Sequence, residues 1–313
     1  MEHRLEIVNE IEKLDDLDDI IAILNLPDAR LCAHGCPECI TSDFDADFDK
    51  RISIDRFKEV IDFFHENYDI KWITRHGYGD VFHRKLAEMT LDVINYSSSK
   101  GIKSFIFTAG DNLYENVCNS LAENQVNIMI SLLGNPWFDA EFFNRKQPNG
   151  KQTVIADNIR RLIMKYQENG VLNPEKGKTR IGLNYVGSED DVNDETRLKE
   201  LKIAANDNGL YFLCNTNFNT HPNPKIQEKI VGLSRKYADF NHPHSILIRG
   251  QCRMGARSAA TVNYKGTMYN CPYLDDKGDG NFFDMTDTER KTIIEGYKND
   301  TETQCGLRGT KKN

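Results

Sequence analysis

No apolar run in this chain of 313 residues approaches the length needed to cross a membrane. The opening residues, Met1-Glu2-His3-Arg4-Leu5-Glu6-Ile7, are too charged for a secretory signal. These two absences make the cytoplasm the expected compartment, where eight cysteines point to metal or redox chemistry rather than to disulfides. A cluster of Lys and Arg is also missing and the formal net charge is −8, which argues against a nucleic-acid substrate. There is no low-complexity segment and no internal repeat beyond an alternation of strands and helices. With only about 20 residues ahead of the first strand, no N-terminal peptide-recognition domain is expected. What remains, 39% apolar and 28% charged residues, describes a globular chain able to bury a large core.

The densest chemistry lies in Leu31-Cys32-Ala33-His34-Gly35-Cys36-Pro37-Glu38-Cys39-Ile40, where Cys32, Cys36 and Cys39 are spaced C-x3-C-x2-C. Three thiolates on one short loop can converge on a single metal centre, and thiolate is a soft ligand that suits iron–sulfur clusters or zinc. Structural zinc wants four protein ligands, usually as two separated pairs. No fourth Cys or paired His follows at that spacing, and His34 is the one nearby candidate. Iron–sulfur, zinc and an uncoordinated group of thiols all remain open on the residues alone.

Along the chain, charged residues with helically spaced apolar ones predict a helix over 5–18 leading into a strand at Ile20–Leu24. The cysteine loop and an acidic, solvated segment, Asp43 to Asp49, follow. Ser53 is placed to cap a helix running to about Tyr68, with Ile54, Phe57, Val60, Ile61 and Phe64 on one face. Five more strands are expected at 70–74, 103–107, 126–132, 180–185 and 210–214. Helices are expected near 83–98, 112–124, 153–168, 193–208 and 225–238. Six β-α units imply a parallel sheet covered by helices, with active residues at the C-terminal ends of the strands. The cysteine loop sits at that end of the first strand. After about residue 240 the pattern changes to a hairpin, Ala259–Tyr264 and Thr267–Tyr269 with a turn at Lys265-Gly266, then a charged helix over 287–298.

The C-x3-C-x2-C loop resembles that of the radical S-adenosylmethionine (radical SAM) enzymes. The resemblance implies that Cys32, Cys36 and Cys39 hold three irons of a [4Fe-4S] cluster whose fourth iron binds the SAM amino and carboxylate groups. It also implies a partial (β/α)6 TIM-like barrel over 1–240. Glu38 departs from the family, which usually has an aromatic residue before the third Cys. Cys252 and Cys271 flank the hairpin as C-x13-G-x4-C, with Gly280-Asn281 further on. This is similar to the opening of the SPASM and twitch extensions, which carry an auxiliary [4Fe-4S] cluster, and gives a small C-terminal hairpin-plus-helix domain over 241–313. Only Cys305 follows, so one auxiliary cluster is the most the chain supports. Its remaining ligand would be Cys214, a non-cysteine group or substrate.

Gly77-Tyr78-Gly79-Asp80 closes the second strand as a tight turn in which glycine is expected for its backbone angles. The family has a Gly-Gly-Glu segment here that meets the SAM amino group, and Gly79 and Asp80 match it in kind while Tyr78 stands where a second glycine is usual. Ser131 and Asn184 occupy positions where the family places ribose- and carboxylate-binding polar groups. Arg75 and His76 flank the turn and could meet a substrate anion or act as acid and base. Cys118 falls on an apolar helix face and reads as a core thiol. Cys214, at the end of the sixth strand, could return a hydrogen atom to a substrate radical. His221, His242 and His244 read as loop residues without a metal role.

The expected function is therefore cleavage of SAM to a 5′-deoxyadenosyl radical and hydrogen-atom abstraction from a peptide or from an aminoglycoside or sugar, for epimerisation or oxidation. An electron donor such as flavodoxin or ferredoxin is implied. The competing readings are a non-catalytic iron–sulfur or zinc protein, and a radical SAM enzyme that modifies RNA or protein.

Overall fold

A computed structural model describes residues 23–32, 39, 41, 47–75, 78–132, 151–173, 179–216, 222–239, 259–270 and 278–299. The helix expected over 5–18, Cys36, His76, Gly77, the loop histidines, Cys252, Cys271 and Cys305 lie outside these residues.

The chain forms two compact units, the first made of Glu10–Gly35, Cys39–Phe107 and Arg249–Asn313, the second chiefly of Thr108–Ile248. In the first unit β1 (Ile23–Asn25) is followed by α1 (Ile54–Tyr68), β2 (Trp72–Arg75), α2 (Ala87–Ser99) and β3 (Lys103–Thr108), whose last residue begins the second unit. The same unit holds β7 (Ala259–Val262), β8 (Met268–Tyr269) and α8 (Asp287–Asn299). The second unit holds α3 (Glu115–Glu123), β4 (Asn127–Ser131), α4 (Lys151–Glu168), β5 (Ile181–Gly187), α5 (Glu189–Asn193), α6 (Thr196–Asp207), β6 (Tyr211–Thr216) and α7 (Pro224–Tyr237).

Strands run in the order β3-β2-β1-β7-β8 in the first unit and β6-β5-β4 in the second. Every described register is parallel except that of the β7–β8 hairpin. The result is the mixed, mostly parallel α/β architecture that the alternating pattern predicts. None of the helices among the described residues is long and apolar enough to span a membrane.

Local chemistry explains most of the boundaries. Ser53 caps α1, its Oγ accepting from the Arg56 amide at 3.3 Å, and Asp69 ends the helix in the left-handed conformation that a short polar side chain tolerates. Phe57, Val60, Ile61, Phe63 and Phe64 are the buried face of that helix. The helix expected over 193–208 is α6, and the short α5 that precedes it was not expected. Ser188 and Asp191 form a capping box that starts α5, and the Asp194 carboxylate accepts from the Thr196 amide at 3.0 Å to start α6.

The hairpin is not isolated from the strands before it. Residues Ala259, Ala260 and Thr261 of β7 pair in parallel with Ile23, Leu24 and Asn25 of β1. That leaves β1 hydrogen-bonded on both sides, with β2 on the other. Ala260, Val262, Tyr264, Met268, Phe282 and Ile294 share a hydrophobic core with Leu24, Phe57, Phe64 and Ile73. Gly266 makes the hairpin turn at φ +83°, the conformation for which glycine is suited.

Candidate functional site

The candidate residues fall in both units, and each group has its own geometry. In the first unit, three neighbouring strands carry a polar side chain at or next to their last residue. Asn25 of β1 accepts a hydrogen bond from Thr74 Oγ1 of β2, and its Nδ2 donates to Thr261 Oγ1 of β7 at 3.3 Å. All three are buried, so this chain of bonds satisfies polar groups that would otherwise be costly inside a sheet.

Beyond β1 the chain turns at Pro27–Leu31, with the Leu31 amide donating to Ala29 O at 2.8 Å, and Cys32 follows, exposed. The turn after β2 holds this segment from the other side. The Asp80 amide donates to Leu31 O at 2.9 Å. A side chain at Gly79 would put its Cβ 2.5 Å from Leu31 O and 2.7 Å from Leu31 N, closer than any ordinary contact. Gly79 is not among the described glycines with positive φ. Glycine is needed here for close approach of two backbones, not for the backbone angles the sequence suggested.

Asp80 is buried, and its Oδ1 accepts from the Phe82 amide at 2.9 Å, fixing the start of the following segment. Tyr78 is buried too, its ring edge-on to Tyr264 with 6.1 Å between centroids. The Tyr78 carbonyl accepts from Thr41 Oγ1 at 2.8 Å. Thr41 Oγ1 is also 3.2 Å from Cys39 Sγ. A hydroxyl has one proton to give. With that proton on the Tyr78 carbonyl, the neutral Cys39 thiol is the donor in the second bond. The same hydroxyl can instead turn to Cys39 once the sulfur is a thiolate.

Thr41 thus ties the third cysteine to the turn after β2, and Leu31 ties the first cysteine to the same turn. Cys32 and Cys39, each tied through a neighbouring residue to the turn after β2, are thiols of the kind that soft metal centres use.

Sequence reasoning missed Asp28 and Arg51, and with them the internal role of Arg75. Arg75 was expected to meet a substrate anion or act as acid and base, but its side chain is 1% exposed and the carboxylate it meets is internal. Its Nη2 donates to Asp28 Oδ2 at 2.6 Å. Asp28 Oδ1 accepts from the Ala29 amide at 2.7 Å, and Arg51 Nη1 lies 3.5 Å from Oδ2. Burial pulls the Arg75 guanidinium below its ordinary pKa, and Asp28 opposes that fall. Nothing in the local sequence marks Asp28, four residues before Cys32, as a partner for a residue 47 positions on.

In the second unit, Ser131 and Asn184 pair directly across β4 and β5. Asn184 Nδ2 lies 3.5 Å from Ser131 Oγ, and the Asn184 carbonyl accepts from the Leu132 amide at 2.7 Å. The structure therefore brings together Ser131, at the end of β4, and Asn184, midway along β5, which the sequence singled out separately.

Cys214 lies on β6 opposite Tyr185 of β5 and is fully buried. Burial, with Asp191 adding to it, pushes its thiol up to about 12. Tyr185 OH donates to the Asp191 carboxylate at 3.0 Å. Cys118 is buried in α3, with Sγ donating to Leu113 O at 3.4 Å, and burial raises it to about 11. It is a core thiol, as its helical spacing indicates.

No family model matches the chain. No curated protein matches it either. Solved structures do. SuiB of Streptococcus suis bound to S-adenosylmethionine superposes with a TM-score of 0.55 at 13% identity, over 96% of this chain and 69% of that one. SuiB bound to the precursor peptide SuiA gives 0.55 at 12% identity, over 97% and 69%. Native anSMEcpe with bound AdoMet gives 0.57 at 14% identity, over 88% and 81%. At such identities the likeness is one of fold. The chain has the partial-barrel α/β fold of these structures.

Proposed function

We propose that the protein is a radical SAM enzyme that abstracts a hydrogen atom from a peptide substrate. One observation carries this reading above the others. Leu31 and Cys32 follow the C-terminal end of β1, and Leu31 is braced by the Gly79–Asp80 turn after β2, in a fold shared with structures that bind S-adenosylmethionine.

Cys32, Cys36 and Cys39 would hold a [4Fe-4S] cluster, to which the exposed Cys32 thiol and the Thr41-bonded Cys39 thiol are suited. When reduced with SAM bound, such a cluster supplies a 5′-deoxyadenosyl radical that removes a hydrogen atom from an unactivated carbon. The chain's own work is placement and exclusion of water. The turn at Tyr78, Gly79 and Asp80, with Gly77, is assigned to the amino group of SAM, and Ser131 with Asn184 to its ribose and carboxylate. A flavodoxin- or ferredoxin-type donor would supply the electron.

A peptide is favoured over a sugar because SuiB with this fold carries a precursor peptide. Cys214 is assigned as the hydrogen-atom donor of an epimerisation. Its raised pKa keeps the S–H bond intact across the physiological range, as a donor requires. Cys252, Cys271 and Cys305 are assigned to an auxiliary cluster in a C-terminal domain over 241–313.

Anaerobic reconstitution followed by iron and sulfide analysis tests the cofactor part. About eight irons per chain support two clusters, and about four support the first alone. Incubation with candidate peptides in heavy water tests the outcome. Deuterium in the product, lost in Cys214→Ala, supports epimerisation, whereas a product two hydrogens lighter without deuterium supports oxidation.

A further inference from the structure

Behind the cysteine loop, Asp28 is the one carboxylate in contact with both Arg75 and Arg51 among the described residues. Its acceptor capacity is heavily used, by the Ala29 amide, Arg75 Nη2 and Arg51 Nη1. Among the described residues, Arg75 Nε and Nη1 have no hydrogen-bond partner, and Arg51 Nη1 has only the long ion pair to Asp28. The group therefore carries a surplus of one positive charge, with Arg75 and Asp28 each 1% exposed and Arg51 17% exposed. Arg75 rests over the Phe57 ring and Arg51 over the Phe48 ring, at 5.2 and 4.6 Å.

Stability offers no reason to keep this arrangement. A buried ion pair is commonly no better than an apolar pair of the same volume, and an unmatched buried cation is worse. Its location offers one. Asp28 precedes Cys32 by four residues, so their Cα atoms are at most about 14 Å apart, and the turn at Ala29–Leu31 shortens that further. Arg75 leads directly into the turn that packs Gly79 on Leu31.

We propose that Asp28, Arg51 and Arg75 form a buried, net-positive centre that raises the reduction potential of the iron–sulfur cluster held by the Cys32 loop. The inference rests on the cluster reading above. Reduction adds one electron to the cluster, delivered by a low-potential flavodoxin- or ferredoxin-type donor. The added negative charge is stabilised by a nearby fixed positive one. Arg75 and Arg51 act as positioning residues through the field, with no contact to substrate. A unit charge at the outer bound of the Asp28–Cys32 separation, about 14 Å, with an effective dielectric near 20, changes the ratio of reduced to oxidised cluster about five- to tenfold at a fixed applied potential.

The test is a redox titration of the reconstituted protein followed by electron paramagnetic resonance, with circular dichroism and iron content checked for each variant. Arg75→Met and Arg51→Gln each remove a positive charge and are expected to shift the midpoint downward. Asp28→Asn removes the negative charge and is expected to shift it upward. The double variant Arg75→Met/Asp28→Asn restores the net charge and is expected to return close to wild type. A purely structural strut would move all the single variants the same way or not at all. If Arg75→Met or Asp28→Asn does not fold, Arg51→Gln and the double variant give the same comparison. Folded, iron-loaded variants with unchanged or same-sign midpoints overturn this proposal and leave the cluster reading standing. A wild-type protein that takes up no reducible cluster overturns both.

Discussion

Gly79 and Leu31 touch backbone to backbone: a Cβ on Gly79 would lie 2.5 Å from the Leu31 carbonyl oxygen, while the next amide, Asp80 N, donates to that oxygen at 2.9 Å. The contact fixes the height at which the first cysteine leaves β1. Gly79→Ala must push the loop or the turn aside, at a cost of about 1–3 kcal/mol. We expect a lower urea midpoint and reduced iron uptake after reconstitution. Gly232→Ala serves as the control. It lies in α7 with nothing within 4 Å of the added methyl, and should stabilise by about 0.5–1 kcal/mol. Normal iron loading and stability in Gly79→Ala would show that this contact does not set the loop.

The Ser131–Asn184 pair predicts a separation of effects. Asn184→Ala or Ser131→Ala should weaken S-adenosylmethionine binding to the reconstituted protein, measured by equilibrium dialysis, without lowering iron content. Loss of iron with unchanged SAM affinity would remove both residues from the cofactor site.

The C-terminal hairpin should unfold with the strands it joins. Phe282 is fully buried, edge-on to Phe63 at 5.3 Å between centroids, with the Arg290 guanidinium 4.0 Å from its own ring centre. Phe282→Ala is expected to cost about 3–5 kcal/mol. Urea unfolding should show that loss in one transition reported alike by circular dichroism and by the fluorescence of Trp72, buried in β2 of the same unit. A separate early transition that leaves the Trp72 signal untouched would show that the hairpin region is energetically independent.

Alkaline stability follows from the two buried thiols. Cys118 and Cys214 have folded-state values of about 11 and about 12, against 9.0 for a free thiol. Above pH 9 the unfolded chain releases these protons while the folded chain retains them, so stability is complete below that pH and falls as pH rises toward the folded values. Denaturation midpoints measured from pH 8 to 11 should decline, and Cys118→Ala/Cys214→Ala should flatten the decline. An unchanged slope in the double variant would assign the loss to other groups, such as Tyr185, which burial raises to about 12.

The sequence made visible what is local. Ser53 reads as a cap because its hydroxyl needs only an amide three residues on, and the spacing of Phe57, Val60, Ile61 and Phe64 marks a buried face without reference to any partner. The short α5 was hidden because it depends on the capping box that Ser188 forms with Asp191 at the head of a charged stretch with little apolar periodicity. The pairing of β7 with β1 joins residues 236 apart, as in Asn25 with Thr261, and no short-range pattern encodes it. In the site, the cysteine spacing and the glycine turn were legible as motifs. Asp28 and Thr41 were not, because their roles come from what the fold sets beside them.

In the proposed function, Cys32, Cys36 and Cys39 hold a cluster that supports SAM cleavage. The most direct test compares anaerobically reconstituted wild type with the Cys32→Ala/Cys36→Ala/Cys39→Ala variant for iron, sulfide and reductant-dependent formation of 5′-deoxyadenosine. We expect the variant to lose about four irons and all of the cleavage. Zinc in place of iron in the wild type, or a variant that keeps its iron and its cleavage, would contradict it.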